Sequence, residues 1–277
     1  MNLNDFIFNY RSNLKSLLKN KDYISFIKRI FLLPFKYSLS NLRNIFVNKN
    51  IDKINLPVDK NNLDDYFKFF NCDKSSLAHG YDKFYLNELE KYKNSELNIL
   101  EFGIHYGASQ ASFKKYFPKS NIIAVDKNPY VKKFFSKKIK YLYCDVSNPN
   151  SLEQLKNYLN FKMDVIIDDA SHIPEHQLKT FAVMFDLLKN NGIYIVEELD
   201  IFQSYPEVYS NKLGNNFSIF REILHDLKDN KNLNYGGKNY DISILKLIKN
   251  IEWVKIFRGN YFVNNKNISE IAFIKKK

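Results

Sequence analysis

From residue 97 onward the chain repeats one unit: a short, almost unbroken apolar run, then a longer stretch with apolar positions at helical spacing. Runs at 97–102, 121–126, 139–144, 163–168 and 192–197 fit this pattern, with helices expected through about 117 and near 129–137, 150–160 and 175–190. Near-continuous apolar strands alternating with helices signal βαβ units and a parallel sheet. A further helix over 217–229 leads to apolar runs at 251–257 and 268–274. Arg258, Gly259 and Asn260 to Asn267 connect them, a polar link that permits an antiparallel pair. The expectation is an α/β fold: a central, mostly parallel seven-stranded sheet with helices on both faces.

The first part of the chain follows a different pattern. Phe6, Leu14, Leu17 and Leu18, then Ile24, Phe26, Ile27, Ile30 and Phe31, recur at helical spacing and suggest two amphipathic helices broken near Pro34. Residues 48–57 read as a linker. Two regions are therefore expected, a helical basic segment over 1–60 and an α/β domain over 61–277.

Composition adds that the chain can bury a core: 45% of its 277 residues are hydrophobic and 16% aromatic, unlike a disordered sequence. The net charge is +12, and residues 1–60 hold 11 Lys/Arg against 4 Asp/Glu. That asymmetry suits an anionic partner for the N-terminal region, a membrane surface or a phosphorylated substrate, and equally a solvated basic face. Cys72 and Cys144 show no CxxC spacing, so no disulfide framework is indicated. The N-terminus does not read as a secretory signal, and no apolar run approaches the roughly 20 residues that span a bilayer. A cytoplasmic protein, peripheral to a membrane at most, is expected.

The first apolar run ends in Glu101-Phe102-Gly103-Ile104-His105-Tyr106-Gly107. Glycines on a turn between strand and helix let a ligand approach the backbone. Their Gly-x-x-x-Gly spacing is not the dinucleotide fingerprint, and a methionine-bearing cofactor without pyrophosphate needs no phosphate cradle. Asp126 ends the second run, where a carboxylate can take both ribose hydroxyls, and Asp145 follows the third, near where an adenine edge would lie. Singly each acid could equally cap a helix. In this order along successive strand ends, they mark the ligand edge of an open α/β sheet.

The strongest local signal is Asp168-Asp169-Ala170-Ser171-His172 after the fourth run, with Glu197-Glu198 at the end of the fifth. Neighbouring strands lie about 5 Å apart, so carboxylates gathered there repel unless protonated or bridged by a cation. A hard, oxygen-liganded ion such as Mg²⁺ resolves this better than zinc, for which one His and no Cys make a poor shell. His172, with an ordinary pKa of about 6.5, suits removal of a hydroxyl proton. Read alone, Asp168 and Asp169 would cap a helix; the second acidic pair favours a site.

These residues resemble the metal-dependent sugar O-methyltransferases related to the mycinamicin and macrocin enzymes. The resemblance covers roughly 72–200: DDASH at 168–172, HQLKTF at 176–181, GIYIVEEL at 192–199, and an echo in Asp73-Lys74 with His79-Gly80-Tyr81. It implies a Rossmann-like fold and S-adenosylmethionine as methyl donor. Cofactor contacts are expected at Glu101, Gly103, Gly107, Asp126, Asp145 and Asp168. It further implies Mg²⁺ ligands at Asp169, Glu197 and Glu198, and catalytic roles for His172 as base and Asp169. Ala170 stands where the family has glycine and Glu198 where it has aspartate; Asp200 is a candidate substitute ligand.

The expected function is methyl transfer to a sugar hydroxyl of a nucleotide sugar, surface polysaccharide or glycosylated metabolite, an acceptor that could be anionic. Tyr205 and Tyr209 are candidates for lining its pocket. Relatives usually self-associate, so a homo-oligomer is expected. A nucleic-acid methyltransferase is disfavoured because no base-amine motif or RNA-binding module is present, so no nucleic-acid partner is expected. A non-catalytic membrane-associated scaffold is the alternative from another class.

Overall fold

In strand β1 (Asn98–Phe102) Ile99 and Leu100 are both buried, facing opposite sides of one sheet. The computed structural model describes residues 3–19, 23–24, 27, 49–56, 62–130, 132–209, 218–229, 242–263 and 265–277. The sheet continues through β2 (Asn121–Asp126), β3 (Ile139–Tyr143), β4 (Met163–Asp168), β5 (Leu188–Val196), β6 (Ile251–Arg258) and β7 (Glu270–Lys276). Its order is β3-β2-β1-β4-β5-β7-β6, with β7 antiparallel to both neighbours and the first five strands parallel. This is the expected α/β architecture, seven strands included.

Helices cover both faces, which is why the strands read as apolar runs without alternation. On one face Leu100, Ile123, Leu142, Ile166 and Tyr194 join Leu152, Phe181 and Phe220. Those three come from α5 (Pro149–Tyr158), α6 (Pro174–Met184) and α8 (Ile219–Lys228). On the other, Ile99, Ile122, Val165 and Ile195 meet Phe67, Tyr85 and Phe113. These belong to α2 (Leu63–Phe70), α3 (Asp82–Leu89) and α4 (Ala108–Tyr116). Asn62, Asn148 and Ser218 cap helix starts with side-chain oxygens, and Pro149 and Pro174 stand in first turns. Among the described residues are also the helices α7 (Pro206–Tyr209) and α9 (Ile242–Lys249).

The N-terminal helix α1 (Leu3–Lys19) docks at the β3 edge of the sheet. Asn9 Nδ2 donates to the Tyr141 carbonyl at 3.0 Å, and the Tyr143 amide donates to Asn9 Oδ1 at 2.5 Å. Phe8 stacks on Tyr158 with centroids 4.1 Å apart. A sheet edge carries unpaired backbone groups, and this helix satisfies two of them. The expected break at Pro34 lies outside the described residues. Of the second apolar run only Ile24 and Ile27 are described, and both are exposed.

Two local expectations differ from the structure. Part of the expected linker belongs to the domain: Lys49–Asn50 pairs in parallel with Phe134–Phe135, Ile51 is buried, and Asp52 accepts from Ser136 Oγ at 2.7 Å and the Lys137 amide at 3.0 Å. The helix expected over 129–137 is absent from its described residues. The Lys133 and Phe134 amides both donate to the Tyr106 carbonyl, and Lys49 donates to Lys133, so the backbone groups a helix would use serve a loop and a short strand. Cys72 and Cys144 are free, buried thiols. Among the described residues no helix is long and apolar enough to cross a membrane.

Candidate active site at the strand ends

The turn after β1 is built on a glycine whose position has no room for a Cβ. Gly103 follows β1 with φ +98°, and a Cβ there would lie 2.0 Å from the Asp169 carbonyl oxygen. Its amide donates to Val125, while the Asp169 amide donates to Phe102, so β1, β2 and β4 release their chain at one point. Gly107, φ +80°, opens α4, and a Cβ there would meet the Phe134 carbonyl at 2.7 Å.

Beside this turn lies a cavity of about 280 Å³ lined by Gly103, Asp126, Asp145, Ala170, Ser171 and His176 among others. Asp126 is fixed by the Ile104 amide on Oδ2 (3.0 Å) and the Asn128 amide on Oδ1 (2.8 Å). Asp145 accepts from Ser147 through both amide and hydroxyl. Ser171 Oγ lies 2.9 Å from His176 Nδ1, fixing the far wall. A second cavity of about 490 Å³ opens across Gly103, lined by Asp73, Ser75, Ile104, Gln110, Phe134 and Asp169 among others. A polar wall around a turn where only glycine fits suits a nucleoside-type ligand.

Asp168 and Glu101 stand apart from both cavities. Asp168 shares the Ile166 side of β4 and is buried near Tyr194, whose hydroxyl donates to it at 3.4 Å. Glu101 shares the Ile99 side of β1 and accepts from Ser109 Oγ at 2.6 Å. Burial raises both carboxyls to about 7. The two-residue period of a strand turns both side chains toward the helical layers, so neither lines the cavities beside the glycine turn.

Asp169, Glu197 and Glu198 do converge, together with two histidines and a lysine. Lys74, 1% exposed, donates to Asp169 Oδ2, and to Glu197 Oε2 at 2.9 Å. Tyr85 donates its hydroxyl to Glu197 Oε1. Glu198 sits between His79 Nε2 and His172 Nε2, each at 3.0 Å, and His172 Nε2 is 3.8 Å from Asp169 Oδ1. His172 and Glu198 both hold left-handed backbone, φ +54° each, a conformation non-glycine residues adopt sparingly.

Burial and close charges together set the electrostatics of this cluster. Burial, then repulsion from Asp169, holds the Glu197 carboxyl well above the usual range; burial likewise raises Asp169 despite Lys74. Burial opposes the Lys74 charge, and the Asp169 and Glu197 carboxylates overcome it, so the ammonium persists. Burial also opposes charge on His172, but Glu198 outweighs it and raises the imidazole to about 10. Three carboxyl groups thus share the Lys74 ammonium and the charged His172 ring. An all-oxygen donor set of carboxyl groups is of the kind that suits a hard divalent cation. The oxygens are already engaged by Lys74, Tyr85 and the histidines, and among the described residues no three His, Cys, Asp or Glu side chains form a ready metal shell.

Asp200, the candidate substitute ligand, is engaged by a different set of residues. It accepts from Arg258 at 2.6 Å and from the Glu270 amide at 3.1 Å, tying β5 to β6 and β7. Tyr209 lies beside the cluster, its ring centroid 6.1 Å from that of His172 and 6.4 Å from that of Tyr205. Lys74, His79 and Tyr85 are the site residues that sequence reasoning left without a role. The Asp73-Lys74 and His79-Gly80-Tyr81 echo was the only signal for Lys74 and His79, and Tyr85 had none.

No family model matches the chain. Its curated relatives include L-olivosyl-oleandolide 3-O-methyltransferase of Streptomyces antibioticus, 30% identical over 152 residues, which are 52% of this chain and 38% of that protein. Mycinamicin VI 2''-O-methyltransferase of Micromonospora griseorubida is 24% identical over 208 residues, 68% of this chain and 50% of the relative. The solved MycE methyltransferase, in complex with Mg, SAH and mycinamycin VI, superposes with a TM-score of 0.58 at 19% identity, covering 78% of this chain and 54% of that one. The fold is that of the Rossmann-like methyltransferases. The sequence resemblance is to sugar O-methyltransferases of macrolide pathways. The aligned part spans about half or less of each of these relatives' length. Within the methyltransferase fold, the glycine turn and the acidic cluster share the carboxyl edge of the parallel strands.

Proposed function

We propose that the chain is an S-adenosylmethionine-dependent O-methyltransferase whose acceptor is a sugar hydroxyl. The observation that carries this reading is the contact of Gly103 with the Asp169 backbone, which puts the cofactor turn against the acid–histidine cluster. A donor lying along Gly103, Asp126 and Asp145 would then present its sulfonium methyl beside His172. In the reaction the S–CH₃ bond breaks as the O–CH₃ bond forms, the sulfonium becomes a thioether, and the hydroxyl proton passes to His172. Geometry does most of the work, since holding two reactants in line replaces a bimolecular encounter.

Asp169, Glu197 and Glu198 would hold Mg²⁺, which when bound lowers the pKa of a coordinated hydroxyl and fixes neighbouring substrate oxygens. His172 as found keeps its own proton because of Glu198, and would first have to release that proton to solvent, with the carboxylate turned from it, before it could take the hydroxyl proton. Tyr205 and Tyr209 would offer aromatic faces to the acceptor. The curated relatives act on glycosylated small molecules by name, and the basic N-terminal segment favours an anionic acceptor such as a nucleotide sugar.

Calorimetry with S-adenosylmethionine and its demethylated product, followed by labelled-methyl transfer to nucleotide sugars and glycosylated metabolites with and without Mg²⁺, tests the proposal. Product carrying an O-linked label supports it. Absence of binding to either cofactor form removes it.

A further inference from the structure

Lysine is rarely buried without a partner, yet Lys74 is 1% exposed and its ammonium bridges the ends of two neighbouring strands. The segment that delivers it is closed by its own hydrogen bonds. The Lys74 carbonyl accepts from the Tyr81 and Asp82 amides, the His79 amide donates to Asp73, and the Gly80 amide donates to Ser75. Its position is therefore set before any ligand arrives. The same closed segment supplies His79 to Glu198, so one loop contributes a partner to each carboxylate of the cluster.

We infer that Lys74 is a resident counter-cation that holds Asp169 and Glu197 together without metal and sets how tightly the cluster takes up a divalent ion. The inference rests on the proposed metal role of these carboxylates. Lys74 is a positioning residue acting through them. It keeps two buried carboxylates from repelling one another, so the strand ends stay converged before a divalent ion binds. It also repels an incoming cation and competes for Asp169 Oδ2 and Glu197 Oε2. Metal entry then becomes an exchange in which the ammonium yields or shares those oxygens. A purely structural lysine would stabilise the fold without opposing metal.

The test uses the full chain and Mn²⁺ as probe, read by electron paramagnetic resonance, with thermal unfolding in EDTA and in Mn²⁺ alongside. Lys74→Met is expected to bind Mn²⁺ about tenfold more tightly or better, because a positive charge a few ångströms from the ion is gone. Its melting temperature in EDTA should fall by roughly 5–10 °C, since removing one member of a buried pair strands the other, and Mn²⁺ should recover most of that loss. Lys74→Arg, which keeps the charge, should stay within about threefold of the parent in Mn²⁺ affinity. The double variant Lys74→Met/Glu197→Gln should melt higher in EDTA than Lys74→Met alone.

If Lys74→Met does not fold, the parent decides: in its ¹⁵N-lysine spectrum the Lys74 ammonium resonance, assigned by its loss in Lys74→Arg, should exchange slowly and shift on Mg²⁺ addition. Equal or weaker Mn²⁺ binding by Lys74→Met overturns the inference, as does a parent ammonium resonance indifferent to Mg²⁺. S-adenosylhomocysteine binding is measured on the same samples. Its absence throughout would count against the methyltransferase reading while leaving the Mn²⁺ comparison intact.

Discussion

Nε2 of His172 lies 3.0 Å from Oε2 of Glu198, and both residues hold the left-handed backbone conformation. Such strain persists where surrounding structure over-determines it, and it aims the imidazole and the carboxylate at each other across two strand ends. His172→Ala should therefore leave S-adenosylhomocysteine affinity near that of the parent and lower kcat by about 10²–10⁴-fold. Calorimetry and single-turnover methyl transfer measure the two separately. Undiminished turnover would end the assignment of His172 as base.

Gly103 offers a second prediction, at the other half of the site. With φ at +98° and only 2.0 Å between the place a Cβ would take and the Asp169 carbonyl oxygen, there is no room for even a methyl group. Gly103→Ala should cost about 2–4 kcal/mol of stability and abolish measurable cofactor binding, because relieving the clash displaces the turn from Asp169. Denaturant unfolding and calorimetry check this. Gly192→Ala serves as a comparison away from the site: there the Cβ would also be crowded, 2.8 Å from Leu188, so stability should fall while cofactor binding persists.

These residues also show what a sequence discloses and what it withholds. The five parallel strands were legible because both faces are buried, so apolar residues run on without interruption, and the strand-end acids follow those runs. Asp168 and Asp169 were given different roles through the resemblance alone, since no local pattern says that one points into the helical layer and the other toward the acid–histidine cluster. That outcome turns on strand parity at a chain exit. Lys74 was less legible still: nothing local separates a buried lysine from the 41 other Lys and Arg residues, and its role arises only when a loop distant in sequence reaches Asp169 and Glu197. The helix expected over 129–137 failed for a similar reason, since its amides answer to Tyr106.

Acid stability should depend on Glu270. Burial opposes its charge, but His225 and Arg221 outweigh that and lower its carboxyl to about 2, with Arg258 completing the cage. The unfolded chain protonates this group near 4.5, so the folded state gains stability above that value and loses it as pH falls toward 2. The gain is of the order of 3 kcal/mol. Glu270→Gln should be less stable than the parent at pH 5, and the difference should shrink to near zero by about pH 2. Urea unfolding at several pH values measures it, and a difference that stayed constant with pH would refute the assignment.

The last prediction concerns whether α1 is an appendage or part of the fold. Asn9 uses both ends of its amide on the outer edge of β3, where the Tyr141 carbonyl and Tyr143 amide otherwise face away from the sheet. Asn9→Ala removes both bonds from a buried position and should cost about 1–3 kcal/mol. Hydrogen exchange at the Tyr143 amide should accelerate, with the central strands β1 and β4 unaffected below the global unfolding limit. Because β3 leads directly to Asp145, some weakening of cofactor binding should accompany the change, smaller than that from Gly103→Ala. Unaltered exchange at Tyr143 would mean that α1 rests on the sheet without supporting it, and the N-terminal segment would then be separable from the methyltransferase fold.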